Sequence, residues 1–370
     1  MTLRVGVSAA LIEADARSGH GRVWSSTLAA LRARVRVRAV HVDRPAATDY
    51  SVPGDGFDVW LADGHGGRPI TDAPVVAVVH EMAWTPAQLR GLDESGGSQP
   101  LATRTAAGVG SASHVIVPSE SSRRQVLDRS TTAPDRVHTV PYGVDSAVFR
   151  PDARGGRALV ARHAATPERP YVLFVGSLHP RKNLAVLRDA MGALAAAGRP
   201  HVLAVVVAEL TVAAVAPGGG LPSIGREAAA ADLPGAPGRV VVVPSPADAD
   251  LAALMAGADA FCLPSLGEGF GLPALEAMAC GTVVVVSDRD SLPEVVGDAG
   301  LVVAPEADAL GASLDAVLAR PAEFARLRGR AVARARRFGW DCTAQGWAGV
   351  LERAAGRPRE TNRAPATSED

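Results

Sequence analysis

The sequence predicts an α/β protein made of two facing, doubly wound domains with a cleft between them. Its 370 residues favour two domains over one. Apolar runs such as residues 74–79 and 171–175 are continuous instead of alternating, as in strands buried on both faces of a parallel sheet. Units of strand, turn and helix recur in both halves. The predicted division is residues 1–150 for an N-terminal domain, 151–340 for a C-terminal domain, 341–356 for a last helix, and 357–370 for a disordered tail.

The composition limits the function classes that the chain can serve. Hydrophobic residues make up 47% of the chain and charged residues 21%, which provides enough apolar side chains for a large core. The formal net charge of −1 gives no support for nucleic-acid binding. The longest apolar run, residues 202–216, contains Glu209 and is too short to cross a bilayer. Because the N-terminus reads as a strand and not as a signal peptide, we expect a cytoplasmic enzyme.

The first half is predicted to alternate buried strands with helices. Each predicted strand is a short apolar run that a turn or a polar segment ends. The strands are residues 3–8, 35–42, 58–62, 74–79, 113–118 and 137–140. The helices are residues 23–34, residues 101–111 and a third that begins at Ser119, a residue type favoured at N-caps. Residues 91–99, rich in glycine and serine, are predicted to form a mobile loop.

The second half repeats this organisation after a predicted linker at residues 149–169, where prolines, glycines and arginines follow no helical period. Its predicted strands are residues 171–175, 202–207, 239–243, 258–263 and 282–287. Its predicted helices are residues 181–197, 247–256 and 272–279, followed by helical sequence from residue 305 onward, including 321–337 and 340–355. The arginines of residues 321–337 are predicted to form a solvated face. Peripheral contact with an anionic lipid surface is the alternative for these arginines.

The second half is organised around residues 264–281, PSLGEGFGLPALEAMACG. A glycine turn at residues 267–271 follows a buried strand and opens a helix with Pro273 in its first turn, where a missing N–H costs little. Free backbone N–H groups and the positive end of the helix dipole make such a turn an anion site. Glu268 and Glu276 flank it. Two carboxylates beside an anion site indicate acceptors for sugar hydroxyls, one for a ribose diol and one for a second sugar.

The spacing of Glu268 and Glu276, within GEGFGLPALEAMACGT, resembles the signature of the retaining glycosyltransferases of family 4, the group 1 glycosyltransferases. The stretches PYGVD at 141–145, GSLHPRKN at 176–183 and SLPEV at 291–295 resemble the same family, and the Arg-Lys-Asn triplet resembles a mannosyltransferase-like subset of it. The resemblance covers most of the chain and implies the GT-B fold, in which two Rossmann-like domains face each other. It also implies that the helix at residues 341–356 crosses back to the N-terminal domain. It further implies transfer of a hexosyl group from a nucleotide-diphosphate sugar to a hydroxyl acceptor, which could be a glycan, a lipid-linked sugar or a small natural product.

The resemblance implies donor roles in the second half. Arg181 and Lys182 would stabilise the departing diphosphate, Glu268 would hold hydroxyls of the transferred sugar, and Glu276 would hold the ribose diol. The other donor-binding candidates are Gly176, Ser177, Gly269, Phe270, Gly271 and Leu272. Lys182 is the only lysine in the chain, and its place between a strand end and a helix start favours a functional role. The alternative is a solvated helix start, which is disfavoured because cations there oppose the helix dipole.

The resemblance implies that the acceptor side lies in the first half. His80 follows the strand at residues 74–79, at the carboxyl end where open α/β sheets bind ligands, and would contact sugar or acceptor. The family usually has aspartate where this chain has Glu81. The other acceptor-side candidates are Gly19, Gly21, Arg22, Ser119 and Tyr142. The alternatives are a histidine satisfied by neighbouring backbone, a plain strand-to-helix turn at residues 19–22, and capping alone for Ser119.

Two other functions stay open at this stage. A sugar-nucleotide epimerase shares the GT-B fold but needs additional acid and base groups, and a non-catalytic nucleotide-sugar-binding partner subunit is expected to carry a damaged motif. No metal or other cofactor is expected. Asp288 and Asp290 form the D-x-D pattern of another glycosyltransferase fold, but the remaining motifs are those of GT-B. The three cysteines have no metal-type spacing.

Overall fold

The computed structural model describes residues 2–13, 18–42, 49–52, 56–82, 98–165, 167–207, 232–233, 235–244 and 246–356. Two parallel six-stranded sheets dominate these residues, one in each half of the chain. The α/β class and the doubly wound parallel sheets predicted from the sequence are therefore confirmed. The predicted tail at residues 357–370 and most of the predicted loop at 91–99 lie outside the described residues.

The first sheet has the strand order β2-β1-β4-β6-β7-β8, and every neighbouring pair is parallel. A separate parallel pair, β3-β5, stands outside it. The strands of this half are β1 (Arg4–Ser8), β2 (Arg36–Val40), β3 (Asp49–Ser51), β4 (Val59–Asp63), β5 (Arg68–Ile70), β6 (Val75–Val78), β7 (His114–Val117) and β8 (Val137–Thr139). The carboxyl ends of β1, β4 and β6 are neighbours at one edge of the sheet. Ligands bind at such an edge in open α/β sheets.

The helices of the first half begin or end a few residues from the predicted bounds, and the short first helix was not predicted. They are α1 (Ala9–Ile12), α2 (Gly19–Leu31), α3 (Ser98–Ser111) and α4 (Glu120–Arg129). Helix α2 begins at Gly19, four residues earlier than predicted, because the Ser18 hydroxyl accepts a hydrogen bond from the Gly21 amide at 2.9 Å and caps the helix. Gly19, Gly21 and Arg22 therefore lie in the first turn of a helix and not in a loop.

The predicted linker at residues 149–169 contains a helix, α5 (Gly156–Ala164). Only Gly156 and Val160 of this helix are buried, so its sequence carries too little apolar periodicity to reveal it. A β-carbon at Gly156 would overlap the carbonyl oxygen of Ala253, which shows how closely the helix approaches its neighbour in the C-terminal half. The segment is therefore packed structure and not a free linker.

The second sheet has the order β11-β10-β9-β12-β13-β14, again with only parallel pairs. Its strands are β9 (Tyr171–Val175), β10 (Val202–Val207), β11 (Val240–Pro244), β12 (Ala260–Leu263), β13 (Val284–Ser287) and β14 (Leu301–Val303). In chain order this is 3-2-1-4-5-6, the order of dinucleotide-binding folds. The order reverses between β9 and β12, so the turns that follow these two strands lie side by side.

The helices of the second half are α6 (Leu184–Ala196), α7 (Asp248–Gly257), α8 (Leu272–Ala279), α9 (Leu292–Val296), α10 (Ala307–Ala319), α11 (Ala325–Ala335) and α12 (Trp340–Ala354). The predicted solvated arginine face on α11 is wrong for two of its members. Arg334 donates to the carbonyls of Val295 and Glu294 at 2.6 and 2.7 Å, and Arg328 donates to the carbonyl of Asp259 at 3.2 Å. Through these hydrogen bonds the two guanidinium groups hold α11 against neighbouring backbone segments of the C-terminal domain.

Helix α12 packs against the N-terminal domain. Its Trp347 ring lies 5.3 Å from the ring of Trp24 on α2, edge to face, and both side chains are fully buried. One continuous apolar core includes residues of both sheets and of α12. The two halves of the chain are therefore joined by buried apolar contacts as well as by the cleft contacts described below.

Candidate active site

The reversal of strand order in the second sheet brings two turns together. The turn after β9 carries Arg181 and Lys182 in a short 3-10 segment, Pro180–Lys182, which precedes α6 and was predicted to be its start. The main chain of this turn is tied to the turn after β12, because the Leu266 amide donates to the Arg181 carbonyl at 2.7 Å. Asn183, in the left-handed conformation with φ 55°, donates its side-chain amide to the carbonyls of Pro264 and Pro305. Asn183 thus fixes the position from which the two cations extend.

The glycine turn before α8 needs its glycines for two different reasons. Gly271 has φ 93°, a left-handed conformation, and a β-carbon there would lie 2.6 Å from the Leu292 side chain. A β-carbon at Gly269 would overlap the carbonyl oxygen of His80, which belongs to the opposite domain. Phe270 and Leu272 are 4% and 8% exposed, so their side chains fill the core and only their backbone groups are available to a ligand.

Glu268 lies at the centre of a buried charge cluster. Its carboxylate accepts hydrogen bonds from Lys182 Nζ at 2.5 Å and from the Ser265 hydroxyl at 2.7 Å, and Arg181 approaches it at 3.4 Å. Lys182 and Glu268 are each only 7% exposed. The main-chain carbonyl of Glu268 accepts a further bond from the Ser291 hydroxyl at 2.8 Å. The predicted catalytic carboxylate and the predicted phosphate-binding cations therefore contact one another directly.

Arg181 extends the cluster across the cleft. Its guanidinium donates to the Gly267 carbonyl at 2.9 Å and pairs with the carboxylate of Glu81 at 3.1 Å. Glu81, one residue after His80, is the position at which the sequence departs from the usual aspartate. In this structure the two cations of the Arg-Lys-Asn triplet are thus neutralised by two protein carboxylates.

The charges of the cluster stabilise one another. Burial raises the pKa of Glu268, but the charges of Lys182 and Arg181 outweigh burial, and its pKa is lowered overall. Burial lowers the pKa of Lys182, and the neighbouring Arg181 lowers it further, against the attraction of Glu268. Burial would lower the pKa of Arg181 as well, but Glu81 and Glu268 raise it. Glu268 is therefore firmly ionised, whereas Lys182 loses its proton more readily than a solvated lysine.

Glu276 belongs to a second interdomain network. It lies on α8, is 2% exposed, and pairs with the guanidinium of Arg22 from the N-terminal domain. Arg22 also pairs with Asp248 in the first turn of α7. Burial raises the pKa of Glu276, and Arg22 only partly offsets that rise. The carboxylate predicted to hold a ribose diol is therefore occupied by an arginine of the opposite domain.

Helix α4 also closes on the C-terminal domain. The Ser119 hydroxyl caps α4 by accepting from the Ser122 amide at 3.0 Å, which confirms its predicted N-cap role. It also donates to the Gly269 carbonyl at 2.8 Å. The Glu294 carboxylate in turn accepts the backbone amides of Glu120 and Ser121 at 2.9 and 3.3 Å. The free amides at the start of α4 are thus satisfied from across the cleft, and the cleft is closed.

His80 lies among polar side chains that the sequence did not identify. Its Nδ1 atom is 2.6 Å from the hydroxyl of Tyr142, a predicted acceptor-side residue that is 3% exposed. The His20 ring lies 4.5 Å from the His80 ring, and the His65 ring is stacked on it at 5.9 Å. Asp63, at the end of β4, lies 3.4 Å from His20 Nε2.

This histidine cluster has strongly shifted acid–base properties. Burial and the neighbouring His20 and His65 lower the pKa of His80 well below its ordinary value, so its imidazole is neutral near pH 7. Burial raises the pKa of Tyr142 well above its usual range. Burial raises the pKa of Asp63, but the neighbouring imidazoles of His20, His65 and His80 outweigh burial and lower it overall. His80 is therefore suited to accept or donate a hydrogen bond as a neutral ring.

The remaining predicted site residues hold more peripheral positions. Gly176 and Ser177 follow β9 and are half-buried, with the Gly176 amide donating to the Val206 carbonyl at 3.1 Å. Asp288 pairs with Arg289 at 3.1 Å. Among the described residues, Asp288 and Asp290 belong to no cluster of three candidate metal ligands. Cys262 and Cys280 are buried and Cys342 is exposed.

Sequence reasoning missed His20, Asp63 and His65, together with Asp248 on the donor side. One signal was available for the first group: Asp63 ends a buried strand that was predicted, just as His80 follows another. If these two strands had been placed as neighbours, the side chains at their carboxyl ends would have been grouped. Asp248 carried no comparable signal, because an aspartate in the first turn of a helix is explained by the helix dipole alone.

Comparison with known proteins shows which family this chain belongs to. The family described as "Glycosyl transferases group 1" matches residues 157–338. A D-inositol 3-phosphate glycosyltransferase of Acidothermus cellulolyticus is 34% identical over 321 residues, which is 81% of this chain and 67% of that protein. This chain belongs to the group 1 glycosyltransferases. The family predicted from residues 264–281 is thereby confirmed.

Other members of the family are longer than this chain. A D-inositol 3-phosphate glycosyltransferase of Segniliparus rotundus is 34% identical over 78% of this chain and 63% of its own length. An MMP alpha-(1->4)-mannosyltransferase of Mycolicibacterium hassiacum is 32% identical over 66% of this chain and 54% of its own length. The chain thus spans between about half and two thirds of these two relatives.

Solved structures of similar proteins show which fold this chain adopts. A sucrose-phosphate synthase from Thermosynechococcus elongatus matches with a TM-score of 0.74 at 18% identity, over 95% of this chain and 98% of that one. Anabaena HepE, in complex with UDP and glucose, matches with a TM-score of 0.64 at 15% identity, over 95% of this chain and 100% of that one. These likenesses confirm the predicted GT-B fold. None of the helices in the described ranges combines the length and the apolar character that crossing a membrane requires.

Proposed function

We propose that this protein is a retaining glycosyltransferase that moves a hexosyl group from a nucleotide-diphosphate sugar to a hydroxyl acceptor, without a metal cofactor. The observation that carries the proposal is the buried cluster of Arg181, Lys182 and Glu268 beside the glycine turn of α8. Two cations and a turn of backbone amides stand where parallel strands reverse their order, which is where α/β folds bind nucleotides.

The cluster supplies charge stabilisation for a departing diphosphate. In this structure Glu268 and Glu81 neutralise the two cations. A bound diphosphate replaces these carboxylates as the partner of Arg181 and Lys182, because its oxygens carry more negative charge than one carboxylate. As the bond from the sugar C1 to the phosphate oxygen breaks, the growing negative charge is held by Arg181, Lys182 and the amides of the turn. Stabilisation of charge by groups already in place is usually the largest catalytic contribution.

Glu268 is proposed to bind the transferred sugar once the diphosphate has engaged the cations. As an ionised carboxylate it accepts hydrogen bonds from sugar hydroxyls and does not act as an acid. The main chain of His80 lies against Gly269 from the other domain, and the His80 side chain is proposed to contact the sugar or the acceptor. In a retaining transfer on one face of the sugar, the acceptor oxygen bonds to C1 and its proton passes to the leaving phosphate oxygen.

Glu276 is proposed to hold the ribose diol after Arg22 has released it. Because Arg22, Glu276 and Asp248 join the domains in the closed form, donor entry requires the cleft to open. Closing again over the bound donor excludes water and protects the donor from hydrolysis. The released guanidinium of Arg22 then stands on the acceptor side, where it can bind an anionic acceptor.

The names of the relatives guide the first substrates to try. The relatives named for D-inositol 3-phosphate suggest a cyclitol phosphate as an acceptor, and the relative named as a mannosyltransferase agrees with the Arg-Lys-Asn triplet in suggesting a mannosyl donor. HepE was solved with UDP and glucose, so uridine nucleotides belong in the same panel.

The first test is thermal unfolding with UDP, GDP, dTDP and ADP and their sugars. A nucleotide at about 100 times its Kd should add roughly 2.7 kcal/mol to the free energy of unfolding. The variant Lys182→Met should lose this stabilisation. Arg199→Ala is the matched control, because Arg199 pairs with Asp315 on the surface of the same domain and should leave the shift intact. If no nucleotide stabilises the parent, the donor site is wrongly assigned.

The second test follows the chemistry. With the nucleotide sugar identified, the product formed with candidate acceptors is analysed by NMR for the configuration at C1. Retention of the donor configuration supports the proposed mechanism. Inversion contradicts it even if transfer occurs, and binding without transfer to any acceptor favours a nucleotide-sugar-binding subunit.

A further inference from the structure

The histidine cluster of the N-terminal domain has the composition of a metal site. His20, Asp63 and His80 each offer one ligand atom, and these atoms lie within 4.8 Å of one another. Within the described part of the chain, no other group of three His, Cys, Asp or Glu side chains meets this condition. Two imidazoles and a carboxylate are ligands that Zn²⁺ accepts, and three protein ligands leave one position for water.

One distance in the cluster fits a shared ion better than a direct contact. His20 Nε2 and Asp63 Oδ2 are 3.4 Å apart, which is long for a hydrogen bond between charged groups. Two ligands bound to one tetrahedral ion with bonds of about 2.0–2.1 Å are separated by about 3.4 Å. The pair is therefore spaced as it would be on either side of a zinc ion.

His80 supplies an unpartnered nitrogen. Its Nε2 atom is buried and has no hydrogen-bond partner among the described residues. Its Nδ1 atom lies 2.6 Å from the Tyr142 hydroxyl, so Nδ1–H can donate there and leave a lone pair on Nε2. Hydrogen bonds of this kind orient metal-binding histidines and fix their tautomer. Asp63 is oriented in the same way, since one of its oxygens accepts the His65 amide at 2.9 Å.

Neighbouring side chains determine how an ion reaches the site and which hydrogen bond it has to displace. The His20 side chain is 42% exposed and leads from solvent to the buried Asp63. Trp24 Nε1 lies 3.2 Å from His20 Nε2 and donates to it. A metal bound through that nitrogen displaces this single hydrogen bond.

We propose that His20, Asp63 and His80 form a binding site for a divalent transition metal ion, best matched by Zn²⁺. The site is separate from the diphosphate cluster and does not depend on the donor chemistry. Since the proposed function has His80 contact the sugar or acceptor, an ion held there blocks transfer and does not take part in it.

The experiment titrates metal-free full-length protein with Zn²⁺ by calorimetry and with Co²⁺ by visible absorption, without nucleotide. The parent is expected to bind one equivalent, and Co²⁺ should show ligand-field bands of a site with nitrogen and oxygen ligands. His20→Ala and Asp63→Asn should abolish this binding. Tyr142→Phe should weaken it by about 10- to 100-fold, because it removes the group that orients His80.

Two control variants separate this site from adventitious binding. His138→Ala changes another close histidine pair, His138 with His114 at 3.0 Å, and Cys342→Ser removes the exposed thiol. Both should bind Zn²⁺ as the parent does. The proposal is overturned if the parent takes up no Zn²⁺, or if binding survives His20→Ala or is lost in His138→Ala or Cys342→Ser. Exposed His20 tolerates truncation, so its variant remains informative even if Asp63→Asn fails to fold.

Discussion

The buried pair of Lys182 and Glu268 can be tested by a double-mutant cycle with Lys182→Met and Glu268→Gln. Glu268→Gln leaves Lys182 buried without the carboxylate that now lies 2.5 Å away, and we expect a cost of about 3–5 kcal/mol in the free energy of unfolding. Lys182→Met is milder, roughly 1–3 kcal/mol, because Glu268 keeps the Ser265 hydroxyl at 2.7 Å and Arg181 at 3.4 Å. Both changes preserve side-chain shape.

The double variant should cost less than the two single costs added together. Once the carboxylate has been removed, the buried Lys182 ammonium has lost its partner and destabilises the folded state. Removing it as well recovers part of this cost, because Arg181 still pairs with Glu81. A coupling free energy of roughly 0.5–3 kcal/mol is the expected range for contacting residues. The assay is urea unfolding followed by circular dichroism, without nucleotide. Additivity within about 0.5 kcal/mol would refute the reasoning that this contact is a strongly coupled buried pair.

The cost of Glu268→Gln in the free energy of unfolding is also expected to depend on pH. The pKa of Glu268 is lowered in the folded state, so the unfolded chain binds the proton more readily. The stability that Glu268 provides is complete above its ordinary pKa of 4.5 and is lost as the pH falls through the lower folded value. The cost of Glu268→Gln should therefore be smaller near pH 3 than near pH 7. The exposed pair of Arg199 and Asp315 is the control, since breaking it should cost at most about 1 kcal/mol.

Three further predictions concern the cleft. Glu294→Ala removes the carboxylate that binds the start of α4, so the ligand-free protein should open and show a larger radius of gyration in small-angle scattering; an unchanged radius contradicts this. Gly269→Ala places a methyl group against the His80 carbonyl and should lower kcat/KM by about 100-fold while the C-terminal domain stays folded, and near-parent activity would disprove this close approach. Ser119→Ala removes both the cap of α4 and a hydrogen bond to the Gly269 carbonyl. Calorimetry should show that the free energy of unfolding falls by about 1 kcal/mol, and an unchanged stability would contradict the capping role.

The strands were predictable because of how parallel sheets are buried. Runs such as residues 74–79 and 171–175 are apolar at every position, since both of their faces are covered, and β6 and β9 fall within them. The strands that the prediction missed, β3, β5 and β14, are each three residues long. One residue is buried in β3 and one in β5, and none in β14. A segment of that length gives no period to detect.

The candidate site was predictable in its parts but not in its contacts. Lys182 was assigned to the departing diphosphate and Glu268 to the transferred sugar, and the two residues are 86 positions apart in sequence. Their direct contact follows from the pairing of β9 with β12, which no local pattern specifies. The cations seemed to require an external anion, because Glu81 and Glu268 could not be placed beside them from the sequence. The same limit hid His20 and Asp63, which meet His80 only when the first sheet is assembled.

The burial of a unique lysine gives this protein a built-in spectroscopic probe. Reductive methylation with isotope-labelled formaldehyde would modify only Lys182 and the chain's α-amino group, so the spectrum would contain two labelled signals. Lys182 is 7% exposed, so we expect its amine to react mainly when the domains part. The rate at which the second signal grows therefore reports how often the cleft opens, and its slowing by a nucleotide measures how firmly that nucleotide holds the cleft shut.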